Sequence, residues 1–383
     1  MSVTEFSSGI PVLRWGIIGS GTVAAWFARD LLLPRKNAAA RHIVGAIGST
    51  NAAALAEKVG VPRDTKLYTS HAEVYADPEV DIVHIAVPHG VHMTECLAAI
   101  RAGKHVLCEK PLAMNAKEAR VIFKAARAAN VWVGEGLWTR ALPVTKQLIK
   151  VIHEDKAIGR VLRVVSDFGF HVDVASLPWS SRYKDPRLGA GSLLDMGVYL
   201  VNWALIAAGT QDSEKDDDGG SFEGGDLPKI LASQTLETVA EAQYVDIATG
   251  ALMQFGTDGL QAVLSCTSVS TREKGDFCRI DGTDGHITLS GMAPPLPTHF
   301  TVHANKKKGS NITHGEGEEE RGEKYECESP GGMGFYWEAD EVALDIAAGR
   351  TMSSMMPWSQ TMLVTRIMDE IRKQGGAKFP QDE

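Results

Sequence analysis

The sequence predicts an α/β protein of two domains, because its pattern changes once along its 383 residues. Up to about residue 135, short apolar runs alternate with helix-like segments, as a doubly wound parallel sheet requires. From Gly159 onward, apolar and polar residues alternate over longer segments, which is typical of an antiparallel sheet with one covered face. We therefore expect residues 1–138 to form the doubly wound domain. Residues 139–383 should form an α+β domain on a large, mainly antiparallel open sheet, with closing helices that could pack back on the first domain.

Apolar runs and capping signals define the elements of the first domain. A strand over 13–18 precedes a helix in which Val23, Phe27 and Leu31 recur every four residues. Ser70 and Glu73 have the spacing of a capping box and begin a short helix, and a second capped helix begins at Asn115. The other predicted elements are strands over 42–48, 81–88, 105–107 and 131–133 and helices over 52–59 and 93–102.

The second domain shows longer strand patterns and two charged interruptions. Strands are predicted over 161–173, 238–247, 251–255, 260–269 and 277–289, and helices over 335–348 and 358–373. The stretches 211–226 and 305–324 are charged and lack periodicity, so we interpret them as surface loops.

Composition excludes several classes of protein. With 44% hydrophobic and 23% charged residues the chain is typical of soluble proteins, and its net charge of −9 gives no basic footprint for nucleic acid. The one basic run, 306–308, accompanies the acidic run 316–320, and we interpret both as a solvated loop. The N-terminus lacks a secretory apolar core, and no stretch approaches the ~18 apolar residues of a membrane helix, so we expect a cytoplasmic protein without membrane contact. Five scattered cysteines indicate reduced thiols and no metal site.

A glycine turn follows the first predicted strand and opens the first predicted helix. In it Gly19 permits a tight bend, Gly21 lets the backbone approach a pyrophosphate, and Ser20, Thr22 and Val23 lead into the helix N-terminus. Unpaired N–H groups at that terminus attract negative charge. Such a turn also occurs without a ligand, but its position between a strand and an amphipathic helix favours a dinucleotide site of the Rossmann type.

The end of the second predicted strand favours NADP over NAD. An acidic residue at this position normally holds the ribose 2′-hydroxyl of NAD. Here the strand ends in Ser49 and Thr50, whose hydroxyls could bind a 2′-phosphate, and the nearest acid, Glu57, lies inside the next helix. No arginine is present at this turn, so NAD remains the alternative.

Four segments of the first domain together resemble the glucose-fructose oxidoreductase/inositol dehydrogenase (Gfo/Idh/MocA) family in order and spacing. They read GSGTVA (19–24), PHGVH (88–92), AGKHVLCEKP (102–111) and EGLWTR (135–140). Two later segments, DPRLGAGSLLDMGVY (185–199) and FYWEADE (335–341), resemble the branch of dimeric dihydrodiol dehydrogenase and NADP-dependent D-xylose 1-dehydrogenase. The resemblance implies an oxidoreductase whose nicotinamide cofactor is contacted by Pro88, His92, Glu109, Lys110 and Trp138 of these segments and by Ala86, two residues before the second segment.

The same resemblance implies that Lys110, Asp195 and Tyr199 meet beside the nicotinamide as catalytic residues. Most of the family has histidine at the position of Tyr199, and tyrosine is typical of this branch. Asp195 and Tyr199 lie four residues apart, so in a helix they would share a face. We interpret Tyr199 as the general acid/base, Lys110 as the cation that polarises the substrate oxygen and lowers the tyrosine pKa, and Asp195 as the residue that orients both.

Each of these residues also has a structural interpretation. Tyr199 could be a core tyrosine, Asp195 a helix cap and Lys110 a surface lysine. Trp138 could stack near the nicotinamide or sugar and contact substrate, or it could simply pack in the core. Arg182 could bind substrate or form a surface salt bridge.

The sequence therefore predicts an NADP-dependent dehydrogenase of a sugar or diol CH–OH group, with D-xylose C1 preferred. A trans-dihydrodiol is the alternative substrate, and a non-catalytic NADP-sensing regulator is the alternative function. A homodimer through the open face of the second sheet is implied by the resemblance alone.

Overall fold

The first domain is built on a six-stranded parallel sheet. The structure, a computed structural model, describes residues 9–210, 225–241, 243–256, 259–304 and 322–383. The sheet has the order β3-β2-β1-β4-β5-β6. Its strands are β1 (Val12–Ile18), β2 (Arg41–Gly48), β3 (Lys66–Tyr68), β4 (Ile82–Ile85), β5 (His105–Glu109) and β6 (Val133–Gly136), and its helices are α1 (Thr22–Leu31), α2 (Ala52–Val59), α3 (His71–Ala76), α4 (His92–Arg101) and α5 (Ala116–Ala129).

This strand order is that of a dinucleotide-binding domain and confirms the predicted fold class. The strand order reverses between β1 and β4, because β1 to β3 run towards one edge of the sheet and β4 to β6 towards the other. Ligands of such sheets bind outside the carboxyl ends of the strands at that point. Two predicted caps are also confirmed. The Ser70 side chain accepts a hydrogen bond from the Glu73 amide in a full capping box, and the Asn115 side chain accepts one from the Glu118 amide.

The last strand of this sheet lies two residues later than predicted, and β3 was not predicted. The sequence indicated a strand over 131–133, whereas β6 runs through Gly134 and Gly136 and pairs with β5. A side chain at Gly134 would lie 2.3 Å from the Trp132 ring, and one at Gly136 would lie 3.1 Å from the Cys108 carbonyl oxygen. Glycine weakens a strand prediction, but here it permits close packing that only the folded structure shows.

The second domain contains an eight-stranded mixed sheet that is mainly antiparallel, as predicted. Its order is β14-β13-β12-β11-β7-β10-β9-β8, and within it only the pair β7 and β10 is described as parallel. The strands are β7 (Val161–Gly169), β8 (Lys229–Ala240), β9 (Gln243–Gln254), β10 (Gln261–Thr267), β11 (Asp276–Gly282), β12 (Gly285–Ala293), β13 (Leu296–Ala304) and β14 (Glu323–Glu326). Helix α6 (Pro143–His153) precedes β7 in the chain, and helix α7 (Val198–Ala208) lies between β7 and β8.

Two strand predictions in this sheet were wrong, and β13 and β14 were missed. The predicted strand 238–247 crosses the turn between β8 and β9, and the predicted strand 277–289 contains the hairpin between β11 and β12. Tight hairpins let the alternation of apolar and polar residues continue from one strand into the next, so alternation alone does not locate the turn. The predicted loops 211–226 and 305–324, with both charge runs, lie almost entirely outside the described residues.

Helix α7 forms the centre of the second domain and corrects one expectation. The segment Pro186–Ala208 is long and apolar enough to pass as a membrane span by length and composition, with a mean hydropathy of 1.4. The expectation that no stretch approaches this limit was therefore wrong. Of that window, 89% is buried inside the protein, since α7 is enclosed by the sheet and the neighbouring helices. A core helix that is apolar on all sides accounts for the segment.

The two C-terminal helices, α8 (Phe335–Ala347) and α9 (Trp358–Gly375), pack on the first domain. Asp30 of α1 accepts hydrogen bonds from the backbone amides of Met333, Gly334 and Phe335, at 2.7 to 3.2 Å, and so caps α8 from another element. This contact holds the start of α8, and with it the ring of Phe335, against the domain that carries the glycine turn.

Candidate active site

A cavity of about 730 Å³ lies where the two domains meet and opens at the carboxyl ends of β1, β2, β4 and β5. The first domain lines it with the glycine turn and the residues that follow these strands. The second domain contributes one loop and the turn that precedes α7. Its lining residues are Gly19, Ser20, Gly21, Thr22, Val23, Trp26, Ser49, His71, Ala86, Val87, Pro88, His89, Glu109, Lys110, Ser181, Arg182, Tyr183, Leu188 and Asp195.

The glycine turn fits a dinucleotide. Gly19 has a φ of +101°, and a Cβ there would lie 2.5 Å from the Ala86 carbonyl oxygen, so glycine is required by both conformation and space. At Gly21 a Cβ would meet no atom within 4 Å, so this residue leaves open space for a pyrophosphate. Gly21 precedes α1, and no side chain caps the first amides of that helix. A nicotinamide dinucleotide bound here would supply the hydride acceptor, and the turn would hold its phosphates.

At the end of β2, the structure separates the two predicted hydroxyls. Ser49 lines the cavity, and its Oγ donates a hydrogen bond to Ser20 Oγ at 2.9 Å. Thr50 is exposed and does not line the cavity. Among the lining residues, the described carboxylates are Glu109 and Asp195, which follow β5 and precede α7 rather than β2.

Lys110 and Asp195 form the charged centre of the cavity. Lys110 follows β5, and its Nζ donates hydrogen bonds to the Asp195 carbonyl oxygen at 2.7 Å and to Asp195 Oδ1 at 3.1 Å. Arg182 lies 3.4 Å from both carboxylate oxygens of Asp195. Burial acts to raise the pKa of Asp195, but the charges of Lys110 and Arg182 hold this pKa well below its usual range. Asp195 is therefore a carboxylate at neutral pH, which suits orienting a cation rather than accepting a proton.

A π-helical turn, Leu193–Gly197, presents Asp195 to Lys110. In this turn the Val198 amide bonds to the Leu193 carbonyl oxygen, five residues back rather than four. The Asp195 carbonyl oxygen, which accepts a hydrogen bond from the lysine ammonium, belongs to this wider turn. Such single turns occur frequently at functional sites.

Tyr199 lies beside this centre, but its ring rather than its hydroxyl faces Lys110. Lys110 Nζ is 4.9 Å from the centroid of the tyrosine ring, and the hydroxyl accepts a hydrogen bond from Trp138 Nε1 at 3.3 Å. Burial, followed by the charge of Glu109, raises the pKa of Tyr199 well above its ordinary value. The prediction that Lys110 lowers this pKa is wrong for this structure, because burial favours the neutral phenol and the charge of the lysine is partnered by Asp195.

Trp138 and His92, two further predicted residues, lie behind the cavity wall. Trp138 is 5% exposed and stacks on Phe335, with ring centroids 4.5 Å apart, so here it packs in the core and positions Tyr199. His92 is buried, and its ring nitrogens lie 2.9 Å from the carbonyl oxygens of Val87 and Pro111. It ties together two segments that border the cavity. The predicted site residues that line the cavity as expected are Gly19 to Val23, Ser49, Ala86, Pro88, Glu109, Lys110, Arg182 and Asp195. Those that do not line it are Thr50, His92, Trp138 and Tyr199.

The structure adds residues to the site that sequence reasoning missed. Tyr183 lines the cavity and accepts a hydrogen bond from Arg182 Nη2 at 2.7 Å. His89 is buried, bonds to the Gly189 carbonyl oxygen at 3.2 Å and lies in a segment that the family resemblance had already marked. Burial lowers the pKa of His89 well below its usual value, so its ring is neutral. The others are Trp26, His71, Val87, Ser181 and Leu188. Leu188 lies in the marked segment 185–199, and the rest carry no signal in the sequence apart from adjacency to marked residues.

Comparison with protein families agrees with this architecture. Residues 13–137 match the model described as "Oxidoreductase family, NAD-binding Rossmann fold", and residues 146–288 match the GFO/IDH/MocA C-terminal domain. The chain belongs to the Gfo/Idh/MocA oxidoreductase family. The expected family is therefore confirmed, and the protein is an NAD(P)-dependent oxidoreductase.

Relatives of this family member match over nearly their whole lengths. A D-xylose 1-dehydrogenase (NADP(+)) of Hypocrea jecorina is 30% identical, over 98% of this chain and 95% of the relative. A trans-1,2-dihydrobenzene-1,2-diol dehydrogenase of Danio rerio is 31% identical, over 97% of this chain and 99% of the relative. Among solved structures, a levoglucosan dehydrogenase in complex with NADH and levoglucosan has a TM-score of 0.75 at 20% identity, covering 95% of this chain and 97% of that one. That structural likeness supports the fold.

Proposed function

We propose that this family member is an NADP-dependent dehydrogenase that moves hydride between a sugar or diol CH–OH group and nicotinamide, with D-xylose C1 as the preferred site of oxidation. The observation that carries the proposal is the Lys110–Asp195 pair, which faces the same cavity as the glycine turn. The relative named D-xylose 1-dehydrogenase (NADP(+)) supports the choice of substrate and cofactor.

The donor arrangement of Lys110 suits the oxygen of a carbinol or carbonyl. An ammonium has three N–H donors, and Asp195 accepts two of them. The third can donate to a substrate oxygen in the cavity. Negative charge grows on that oxygen as its proton leaves in the oxidation, or as hydride arrives at the carbon in the reduction, and a fixed cation in a partly dehydrated site stabilises it. Arg182 and Tyr183 add polar groups to the wall that suit the remaining hydroxyls of a polyol.

In this proposal Tyr199 exchanges the substrate proton and Asp195 holds the lysine. The raised pKa keeps the phenol protonated, which suits proton donation when a carbonyl is reduced; in the oxidation the phenol must first release its own proton to solvent before it takes the proton of the substrate hydroxyl. To act on substrate, the hydroxyl must exchange its bond with Trp138 for one to the substrate oxygen. The tyrosine ring already lies next to the lysine that would hold that oxygen, with Lys110 Nζ 4.9 Å from the ring centroid.

Turnover with a panel of substrates tests the reaction. Purified protein is incubated with NADP and a series of aldoses and trans-dihydrodiols while NADPH formation is followed by absorbance. We expect oxidation of D-xylose to a lactone. Oxidation of the dihydrodiol alone would favour the second candidate, which the relative from Danio rerio supports. Tight NADP binding without turnover of any aldose or diol would refute the dehydrogenase and favour a cofactor-sensing regulator.

Substitutions in the site test the assigned roles. Lys110→Met and Tyr199→Phe should each lower kcat by about 100-fold or more, because each removes a group from proton handling or charge stabilisation. Tyr183→Phe should mainly raise KM, because it removes one hydroxyl from the wall. Lys146→Met serves as the matched control, since Lys146 pairs with Glu341 away from the cavity. Full activity in both of the first two variants would refute the assignment.

We also propose a homodimer through the open face of the second sheet. Four exposed aliphatic residues are cross-strand neighbours in a row across β8, β9, β10 and β7, namely Leu231, Leu252, Val263 and Val165. Their chain neighbours Ile230, Met253, Ala262 and Val164 are buried on the helix-covered face. A continuous apolar row on one face of a sheet is typical of a protein interface.

A further inference from the structure

Trp26, Ser49 and His71 line the cavity, and Ser49 follows β2, where this fold would hold the adenosine end of a dinucleotide. A Cβ placed on Gly48, the last residue of β2, would lie 3.4 Å from His71 Cα, so the start of α3 packs against the end of β2. In dinucleotide-binding domains the end of this strand faces the ribose 2′ position. His71 is therefore placed at the one part of the cofactor in which NADP and NAD differ.

His71 is oriented by a carboxylate on a neighbouring helix. Its Nδ1 lies 3.1 Å from Glu95 Oε2, and the same oxygen accepts a hydrogen bond from the Tyr75 hydroxyl at 2.6 Å. The hydrogen bond from His71, acting against burial, lowers the pKa of Glu95 below its usual value, so this carboxylate is charged at neutral pH. His71 Nε2 has no hydrogen-bond partner among the described residues, and the side chain is 30% exposed. One nitrogen is thus occupied and the other is available to a ligand in the cavity.

We propose that His71, oriented by Glu95, binds the 2′-phosphate of NADP. Both nitrogens of an imidazolium are donors, so Nδ1 can donate to Glu95 while Nε2 donates to the phosphate. The other lining residues at this end, Ser20, Trp26 and Ser49, are uncharged. His71 therefore takes the role that an arginine after β2 fills in many NADP-dependent domains.

This inference depends on the proposed NADP preference, and the experiment separates the two. Binding of NADP, NAD and 2′,5′-ADP to the full chain is measured by calorimetry, with no turnover required. The wild type should bind NADP more tightly than NAD. His71→Gln should weaken NADP and 2′,5′-ADP by about 10-fold or more and leave NAD within about twofold, because a charged hydrogen bond to phosphate is lost.

His299→Gln is the matched control, since His299 lies on β13 in the other domain and should change no affinity. A wild type that binds NADP no better than NAD would refute the NADP preference, and this inference with it. A wild type that prefers NADP, with a His71→Gln variant of unchanged preference, would refute the inference alone. Equal weakening of NADP and NAD in that variant would also overturn it, because the histidine would then support the whole cofactor rather than its 2′-phosphate.

Discussion

At the residue scale, the two glycines of the turn have different tasks. Gly19 is required by the backbone, since it has a positive φ and a side chain there would collide with the Ala86 carbonyl. Gly21 has an ordinary φ of −72°, and no atom of the described residues occupies the space of its missing side chain. Only a ligand gives a reason for glycine at position 21.

Gly21→Ala should therefore separate binding from folding. Because a methyl group at this position meets no protein atom, we expect the melting temperature to change little. The same methyl group would lie where the pyrophosphate approaches the backbone, so NADP affinity should fall about 10-fold or more, measured by calorimetry. Gly19→Ala is the comparison and should lower the melting temperature as well. Unchanged NADP affinity in Gly21→Ala would show that the phosphates lie elsewhere.

Residue-scale predictions from the sequence succeeded where backbone geometry or a family motif marks the residue. The glycine turn, Ser49, Lys110 and Asp195 all line one cavity, as expected. The inferred effect of Lys110 on Tyr199 did not hold, because a pKa depends on burial and on which atom of the ring the cation meets. Neither is visible in a spacing of residues along the chain.

At the scale of elements, α8 is tied to the first domain by a buried charge cluster. Asp340 accepts hydrogen bonds from Arg35 at 2.6 and 2.8 Å, and His42 Nε2 lies 2.9 Å from it. Burial acts to raise the pKa of Asp340, but these bonds hold this pKa below its usual value. The cluster joins the loop after α1 and the strand β2 to the helix that positions Phe335 behind Trp138.

Asp340→Asn should lower the free energy of unfolding by about 3 kcal/mol at pH 7, because it leaves the buried Arg35 without its charged partner. Since the folded pKa of Asp340 is depressed, its contribution is present above the unfolded value of about 3.9 and is lost as pH falls through the folded value. The difference between variant and wild type in urea unfolding should therefore shrink below about pH 4.

Asp281→Asn is the control for this experiment. Asp281 pairs with Arg163 and Arg279, both about half exposed, so its loss should cost less than about 1 kcal/mol. A difference for Asp340→Asn that is equally large at pH 3 would show that the charge of Asp340 does not stabilise the contact.

Most helices and their caps could be predicted because their signals are local. The capping box at Ser70 and the cap at Asn115 each depend on residues three apart. The cap of α8 could not be predicted, because its first amides are bound by Asp30, some three hundred residues away in the chain. Likewise, the hairpin turns inside the predicted strands 238–247 and 277–289 break no local pattern.

At the scale of the whole molecule, the two domains contribute different parts of one site. The first holds the glycine turn and Lys110, and the second supplies Arg182, Tyr183 and Asp195. The lysine contacts its partner only because the π-helical turn before α7 lies against the end of β5. Neither domain alone would contain the charged centre.

Val263→Glu tests the assembly of the molecule. Val263 is 40% exposed and lies in the middle of the aliphatic row, so a charge there would be buried without a partner in a dimer. We expect the wild type to be a dimer and the variant a monomer, as measured by size-exclusion chromatography with light scattering. Met292→Glu, at a side chain that is 72% exposed outside that row, should remain dimeric. A dimeric Val263→Glu variant, or a monomeric wild type, would contradict the proposed interface.

The sequence by itself determined the features that depend on neighbours in the chain. These are the two kinds of sheet, the capped helices, the phosphate-binding turn and the motifs whose order matches the family. Only the tertiary structure decided which groups meet: that Lys110 is held by Asp195, that the Tyr199 hydroxyl faces Trp138, and that His71 lines the same cavity as the glycine turn. The physical reason is that charge, burial and hydrogen bonding act through space, and they join residues that the chain separates by sixty positions or more.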